Sequence, residues 1–189
     1  MKGVSVIVCC YNSVERIGTT LQFLKKQRAE HLSWEVILVD NNCTDATVHE
    51  ALTVWGNHPV KLNVIKEQRA GLIHARNAGI RAALYDSLIF CDDDNWLEQT
   101  YLQVVNELFE SNPHAGAIGG QSTIAIESGE TIPAWFRKEE NAYAVGKQAL
   151  QSGDITNRLY LWGAGLAIRK HLAEKCFDPE FPFLLTGRN

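Results

Sequence analysis

The sequence predicts an α/β fold, with a mostly parallel central sheet covered by helices on both faces. Three observations predict it. Short apolar, β-branched runs alternate with stretches of helical periodicity over roughly the first 110 residues. The first run, Val4 to Cys10, is apolar almost throughout, as in a strand buried on both sides. Polar clusters follow the runs, where an open parallel sheet turns its strand ends toward ligands.

The elements follow in order. After Val4 to Cys10, Asn12 and Glu15 have the spacing of a capping box, and Ile17, Leu21 and Leu24 carry a helix to about Gln27. Val36 to Asp40 is the second strand. Thr44 or Asp45 can cap the next helix, which runs through Val48, Leu52 and Trp55 and is closed by Gly56. Val60 to Lys66 alternates as a third strand. Leu72 to Leu84 puts Leu72, Ala75, Gly79, Ala82 and Ala83 on a small-residue face suited to close packing on a sheet. Ser87 to Asp92 is the fourth strand, and Leu97, Tyr101, Val104 and Leu108 form the fourth helical stripe. Beyond Ala115 the pattern loosens. A Gly-rich strand is expected over Ala117 to Ile126, then a polar stretch from Glu127 to Asn157, a strand over Tyr160 to Ile168 and a short helix from Arg169.

At 189 residues and 46% hydrophobic, the chain can bury one sizeable core, so a single domain is expected. Its net charge of -4, with 18 basic against 22 acidic residues and no basic block, offers nothing to track a phosphate backbone, so no nucleic-acid partner is expected. Val4 to Cys10 falls far short of the roughly 20 apolar residues that span a bilayer, and no transmembrane segment is expected. The five cysteines form no CxxC pair, which predicts a reduced, cytoplasmic setting and no structural zinc.

The chemistry-bearing residues gather after the strands: Tyr11 and Asn12 after the first, Asp40, Asn41 and Asn42 after the second, Asp92 to Asn95 after the fourth. Asn and Asp are also ordinary turn residues, and that reading stays open for Asn12 and Asn42. The aspartate run is harder to assign to a turn. Three adjacent carboxylates repel one another, and if strand geometry persists Asp92 and Asp94 point to one side and Asp93 to the other. The alternate pair could share magnesium or manganese, hard cations that accept carboxylate, water and phosphate oxygens. The competing reading is a solvated acidic turn capping a helix that begins near Glu98. Arg76, early in the third helix, could neutralise a diphosphate or pair with the aspartates, while His74 beside it reads as a surface histidine. Trp162, Gly163, Ala164 and Gly165 either admit a ligand close to the backbone or mark a bulge.

With these residues in hand, the chain resembles the family 2 glycosyltransferases, inverting enzymes of the GT-A fold. Val4 to Asn12 looks like the family's first strand and turn, and Val39 to Asp45 like its second-strand motif. Ala70 to Gly79 is similar to its third-helix signature, and Phe90 to Asp94 to its DxD metal motif. The resemblance implies that residues 1–126 form a nucleotide-binding half and residues 127–189 the start of an acceptor-binding half. It implies donor contacts from Cys9, Tyr11, Asn12, Asp40, Asn41 and Arg76. Asp92 or Asp93 would lie at the ribose, and Asp94 with Asp92 at a Mn2+ or Mg2+ ion bridging the donor diphosphate. Trp162 to Gly165 would lie beneath the sugar and acceptor.

The implied reaction moves a sugar from a nucleotide-sugar donor, a UDP-sugar, to a hydroxyl of a glycan, lipid-linked or protein acceptor, with inversion. There are departures from the family pattern. Cys9 and Cys10 replace a common Pro-Thr, and Asn41 stands where a second aspartate often reads uracil. In such enzymes the general base follows the equivalent of Leu185 to Arg188. It is therefore expected after Asn189, on residues that could also bring a cytoplasmic protein to the inner membrane surface, and the chain reads as truncated, able to bind donor but poor at transfer. The alternatives are a catalytically silent nucleotide-sugar-binding module and a magnesium-dependent phosphatase of the haloacid-dehalogenase type.

Overall fold

The computed structural model describes residues 1–126, 129, 131–157 and 160–177. Among these, six strands form one sheet in the order β3-β2-β1-β4-β6-β5. The strands are β1 (Val4–Cys10), β2 (Trp34–Asp40), β3 (Leu62–Lys66), β4 (Ser87–Asp92), β5 (Ala117–Ile118) and β6 (Ala167–Arg169). The pairings β1–β2, β1–β4 and β2–β3 are parallel, whereas β6 runs antiparallel to both β4 and β5. β1 is central, as its unbroken apolar run predicts, with Val4, Val6, Ile7 and Val8 all at or below 1% exposure.

Alternation along the strands splits the core into two layers. On one face Val4, Val6, Val8, Val36, Leu38 and Ile89 meet α1 (Val14–Lys25), α2 (Thr47–Trp55) and α4 (Tyr101–Ser111). On the other, Ile7, Ile37, Val39, Leu88 and Phe90 meet α3 (Leu72–Ala82) and α6 (Lys170–Cys176). Ile17, Leu21 and Leu24 of α1 are fully buried, and each such side chain contributes roughly 1.5–3 kcal/mol. α3 lies close to the sheet because Gly79 carries no side chain: a Cβ there would come 2.4 Å from Ile7 Cγ2. Among the described residues no helix is long and apolar enough to cross a membrane.

Several local expectations are corrected. Asn12 does not cap α1. Its φ is +49°, and its Oδ1 accepts the Thr44 N–H at 2.8 Å, so it ties two loops together. Asp45 does serve the start of α2, its Oδ1 accepting the Thr47 N–H at 3.0 Å. α4 begins at Tyr101, leaving Leu97 buried in the preceding loop. Leu72, expected against the sheet, is 45% exposed because it opens the first turn of α3. The long strands expected over Ala117 to Ile126 and Tyr160 to Ile168 shrink to two and three residues. The glycines explain this: Gly119 and Gly120 follow β5 at once, and Gly165, at φ +70°, turns the chain just before β6.

Candidate functional site

Parallel register aligns three strand ends at one edge of the sheet. Cys10 pairs with Asp40 on one side, and Cys9 with Asp92 on the other. Asp40 and Asp92 therefore flank the end of β1, their backbones about two strand spacings, roughly 10 Å, apart. Tyr11 stands exposed between them.

The β2 end is tightly organised. Asp40 Oδ1 accepts the Cys43 N–H at 2.8 Å. Asn41 is 6% exposed, and its Nδ2 donates to the carbonyls of Glu67 (2.9 Å) and Arg69 (2.7 Å) while its Oδ1 accepts the Gly71 N–H (2.9 Å). One carboxamide thus fixes the whole β3–α3 turn. Glu67 braces the same turn, its Oε1 accepting from the Arg69 N–H at 2.9 Å and from its guanidinium at 3.1 Å. The hydrogen bond from Arg69 outweighs the cost of burying Glu67 and holds its carboxyl down at about 2. Because the folded value lies below the ordinary 4.5, the turn's stabilisation is complete above that pH and is lost as pH falls toward 2. Glu67→Gln is expected to flatten this acid limb. Urea midpoints of the two proteins measured across that window should converge at the acid end; parallel curves would refute the assignment.

The acidic loop divides its three carboxylates. Asp93 turns to α1, where its Oδ2 accepts from the Ser13 hydroxyl and from Arg16 Nη2 at 3.1 Å, and its carbonyl accepts from Thr20 Oγ1 at 2.8 Å. Asp92 faces Arg76 of α3, whose Nη2 lies 3.5 Å from Asp92 Oδ1. Arg76 is held in place from two further directions: its guanidinium sits 4.9 Å above the Phe90 ring and packs against Gly163. Burial raises the Asp92 carboxyl above the ordinary range; Arg76 opposes that shift, and Asp94 and Asp93 add to it. Asp94 is exposed, and its Oδ1 accepts from Asn95 Nδ2 at 3.4 Å. His74, in the first turn of α3, has a buried Nδ1 without a hydrogen-bond partner among the described residues.

Cys9, at the centre of this edge, is pushed up to about 12 by burial, against the pull of Arg76, so it is a neutral thiol rather than a thiolate nucleophile. Burial likewise raises Cys10 and Cys91. Among the described residues no three His, Cys, Asp or Glu side chains gather around a common point that could hold a metal. Asp92 and Asp94 nevertheless suit magnesium or manganese as a partial set, since these ions take one or two carboxylates and complete their shell with water and phosphate oxygens.

The Trp162–Gly165 segment runs beside the same strand end. The Gly165 N–H donates to the Phe90 carbonyl at 2.9 Å, and Tyr101 Oη donates to the Gly165 carbonyl. Trp162 is buried at 8% exposure. Two sets of residues here escaped the sequence reading. Ser13, Arg16 and Thr20 moor the acidic loop, and buried Gln148 links Gly120 to Trp162 by accepting the Trp162 N–H and donating to the Gly120 carbonyl, both at 2.7 Å. A lone polar residue on a helix or in an irregular stretch carries no spacing signal that could have revealed either.

Comparison with known proteins agrees with this architecture. Residues 5–177 match the family model described as Glycosyl transferase family 2. A poly-beta-1,6-N-acetyl-D-glucosamine synthase of Staphylococcus epidermidis is 28% identical over 128 residues, 68% of this chain and 30% of that protein. Among solved structures, S. aureus TarS 1-349 in complex with UDP has a TM-score of 0.65 at 22% identity, over 93% of this chain and 48% of that one. The mannosyltransferase PcManGT of Pyrobaculum calidifontis, in complex with GDP-Man and Mn2+, has a TM-score of 0.67 at 23% identity, over 91% and 46%. The chain thus spans less than half the length of these relatives, and the structural likenesses show the fold, a mostly parallel GT-A-like sheet with helices on both faces. With the family model covering nearly the whole chain, the protein belongs to glycosyl transferase family 2.

Proposed function

We propose that this chain is the donor-binding domain of a metal-dependent glycosyltransferase that moves a sugar from a nucleotide-sugar donor, a UDP-sugar, to an acceptor hydroxyl with inversion. The observation that carries the reading is the division of the acidic loop. Asp93 is spent on α1, whereas Asp92 and Asp94 remain at the edge that Asp40 shares. Family membership argues against the phosphatase alternative.

On this reading Tyr11, Asn12 and Asp40 hold the base. The Asp40 carboxylate is suited to accept an N–H from a pyrimidine, and Asn41 acts mainly by fixing the turn beside it. Asp92 is better placed than Asp93 to meet the ribose, because Asp93 is already engaged. Arg76 offers its guanidinium to the diphosphate, and its pairing with Asp92 keeps it oriented before donor arrives. Asp94, with Asp92, would hold Mn2+ or Mg2+, which when bound supplies positive charge where the leaving diphosphate gains negative charge. Cys9 contributes a neutral wall. The acceptor hydroxyl then attacks the anomeric carbon from the face opposite the diphosphate, above Trp162 to Gly165, as the bond from that carbon to the diphosphate breaks and a carboxylate base takes the hydroxyl proton. The UDP and UDP-GlcNAc complexes of TarS support the choice of uridine, and the Mn2+ of PcManGT supports the cation.

Calorimetric titration of UDP-, GDP- and ADP-sugars with and without Mn2+ tests this. Saturable heat from a UDP-sugar only in the presence of the ion is expected. Metal-independent binding, or none from any of the three classes, would overturn it.

A further inference from the structure

Arg76 is the cation assigned above to the diphosphate, and its ion pair does not account for its orientation. The contact with Asp92 is long, at 3.5 Å, and a guanidinium on its flexible stem samples many rotamers unless a surface holds it. That surface is Phe90, 1% exposed, whose ring centroid lies 4.9 Å from Arg76 Cζ. The same ring meets a second neighbour. Phe177, the C-cap of α6, packs on it with centroids 5.2 Å apart and planes 47° from parallel. The helix that delivers Phe177 is fixed at both ends. At its start the Lys170 N–H donates to the Asp86 carbonyl at 2.8 Å and Lys170 Nζ to the Ala83 carbonyl at 2.6 Å, which ties α6 to the loop after α3. At its end the Phe177 N–H donates to the carbonyl of Ala173, a fully buried residue of the sheet's second core layer, at 3.0 Å.

We infer that Phe177 is a positioning residue of the donor site: it holds the Phe90 ring against the Arg76 guanidinium and so keeps that cation aimed at the donor's diphosphate. The inference rests on the nucleotide-sugar reading above and adds a residue that acts on the ligand through two others. Interiors are packed closely enough that a buried ring turns only when a neighbour is removed. Shortening Phe177 opens that space beside Phe90. The ring can then tilt, and the guanidinium loses the flat surface that limits its rotamers. Gly163, which packs against the guanidinium from another side, has no side chain to take over that task. The effect is confined to the phosphate end of the ligand, because Tyr11, Asn12 and Asp40, assigned to the base, belong to the ends of β1 and β2.

Calorimetric titration of UDP with Mn2+, paired with ligand-observed NMR titration of uridine, tests it on the full chain. Phe177→Ala should weaken UDP about tenfold and uridine by less than about twofold. Phe177→Leu refills most of the lost volume without a flat ring; it carries the test if the alanine variant does not fold, and it should weaken UDP about fivefold. Phe177→Tyr keeps the ring and should retain most of the affinity. In an Arg76→Ala background, Phe177→Leu should change UDP affinity by less than about twofold, since the cation it positions is gone. A role in stability alone would weaken uridine and UDP alike, and that result would overturn the inference. An undiminished loss in the Arg76→Ala background would do the same. A wild type that binds UDP no better than Phe177→Leu sinks the inference and leaves the donor reading standing, whereas a wild type that does not bind UDP sinks both.

Discussion

Asp94→Ala is expected to lower metal-dependent nucleotide-sugar affinity by at least about a hundredfold, more than loss of a residue that merely orients a ligand would give. The size follows from the loop's division of labour. Asp93 is locked to Ser13, Arg16 and Thr20 and cannot move in to replace the missing carboxylate, which leaves Asp92, itself partly neutralised by Arg76, to hold the ion alone. Asp94 is exposed and its hydrogen bond with Asn95 is long, so its removal should leave thermal stability within about 0.5 kcal/mol of wild type. Calorimetry with and without Mn2+, paired with a melting curve, reads both quantities. Unchanged metal-dependent affinity in a folded variant would remove Asp94 from the site.

Gly79→Val should damage the fold heavily. Even a β-carbon at this position meets Ile7 Cγ2 at 2.4 Å, and Ile7 is 1% exposed in the central strand, with no room to retreat. Overpacking of this kind costs about 1–3 kcal/mol, and a branched side chain belongs at the upper end. For a domain of this size, 3 kcal/mol corresponds to a fall in Tm of about 6–12 °C. Gly79→Ala should give a smaller loss, and pairing either variant with Ile7→Val should recover part of it. A Gly79→Val protein as stable as wild type would mean that α3 can lift from the sheet at no cost.

The elements readable in the sequence were those whose signal is local. β1 and β4 have the bounds that their apolar runs predict, and α1 carries its core on Ile17, Leu21 and Leu24 as the spacing requires. The small-residue face of α3 correctly pointed to close packing, although Leu72 lies outside it. Signals failed where a distant partner decides the outcome. Asn12 fits a capping pattern, yet its side chain is claimed by Thr44, thirty-two positions away. β6 pairs antiparallel with β4 and β5, an arrangement that no run of residues announces. At the candidate site the positions of Asp40, Asn41 and Asp92 at strand ends were legible, because turn chemistry after an apolar run is local. That Asn41 would bind three backbone groups, or that Asp93 would turn to α1, depends on neighbours brought in by the fold.

The short pairing of β5 with β6 has a further consequence. Everything from Gly119 to Leu166 departs and returns on adjacent strands, joined at Ala117–Ile168 and Ile118–Ala167. The two attachment points are therefore neighbours whatever lies between them, and lengthening or exchanging the insert adds only a slowly growing closure entropy. Such geometry makes the part of the excursion before the Trp162–Gly165 segment, which packs on Arg76 and bonds Phe90, a swappable cassette that can change while the sheet and its acidic edge are inherited intact.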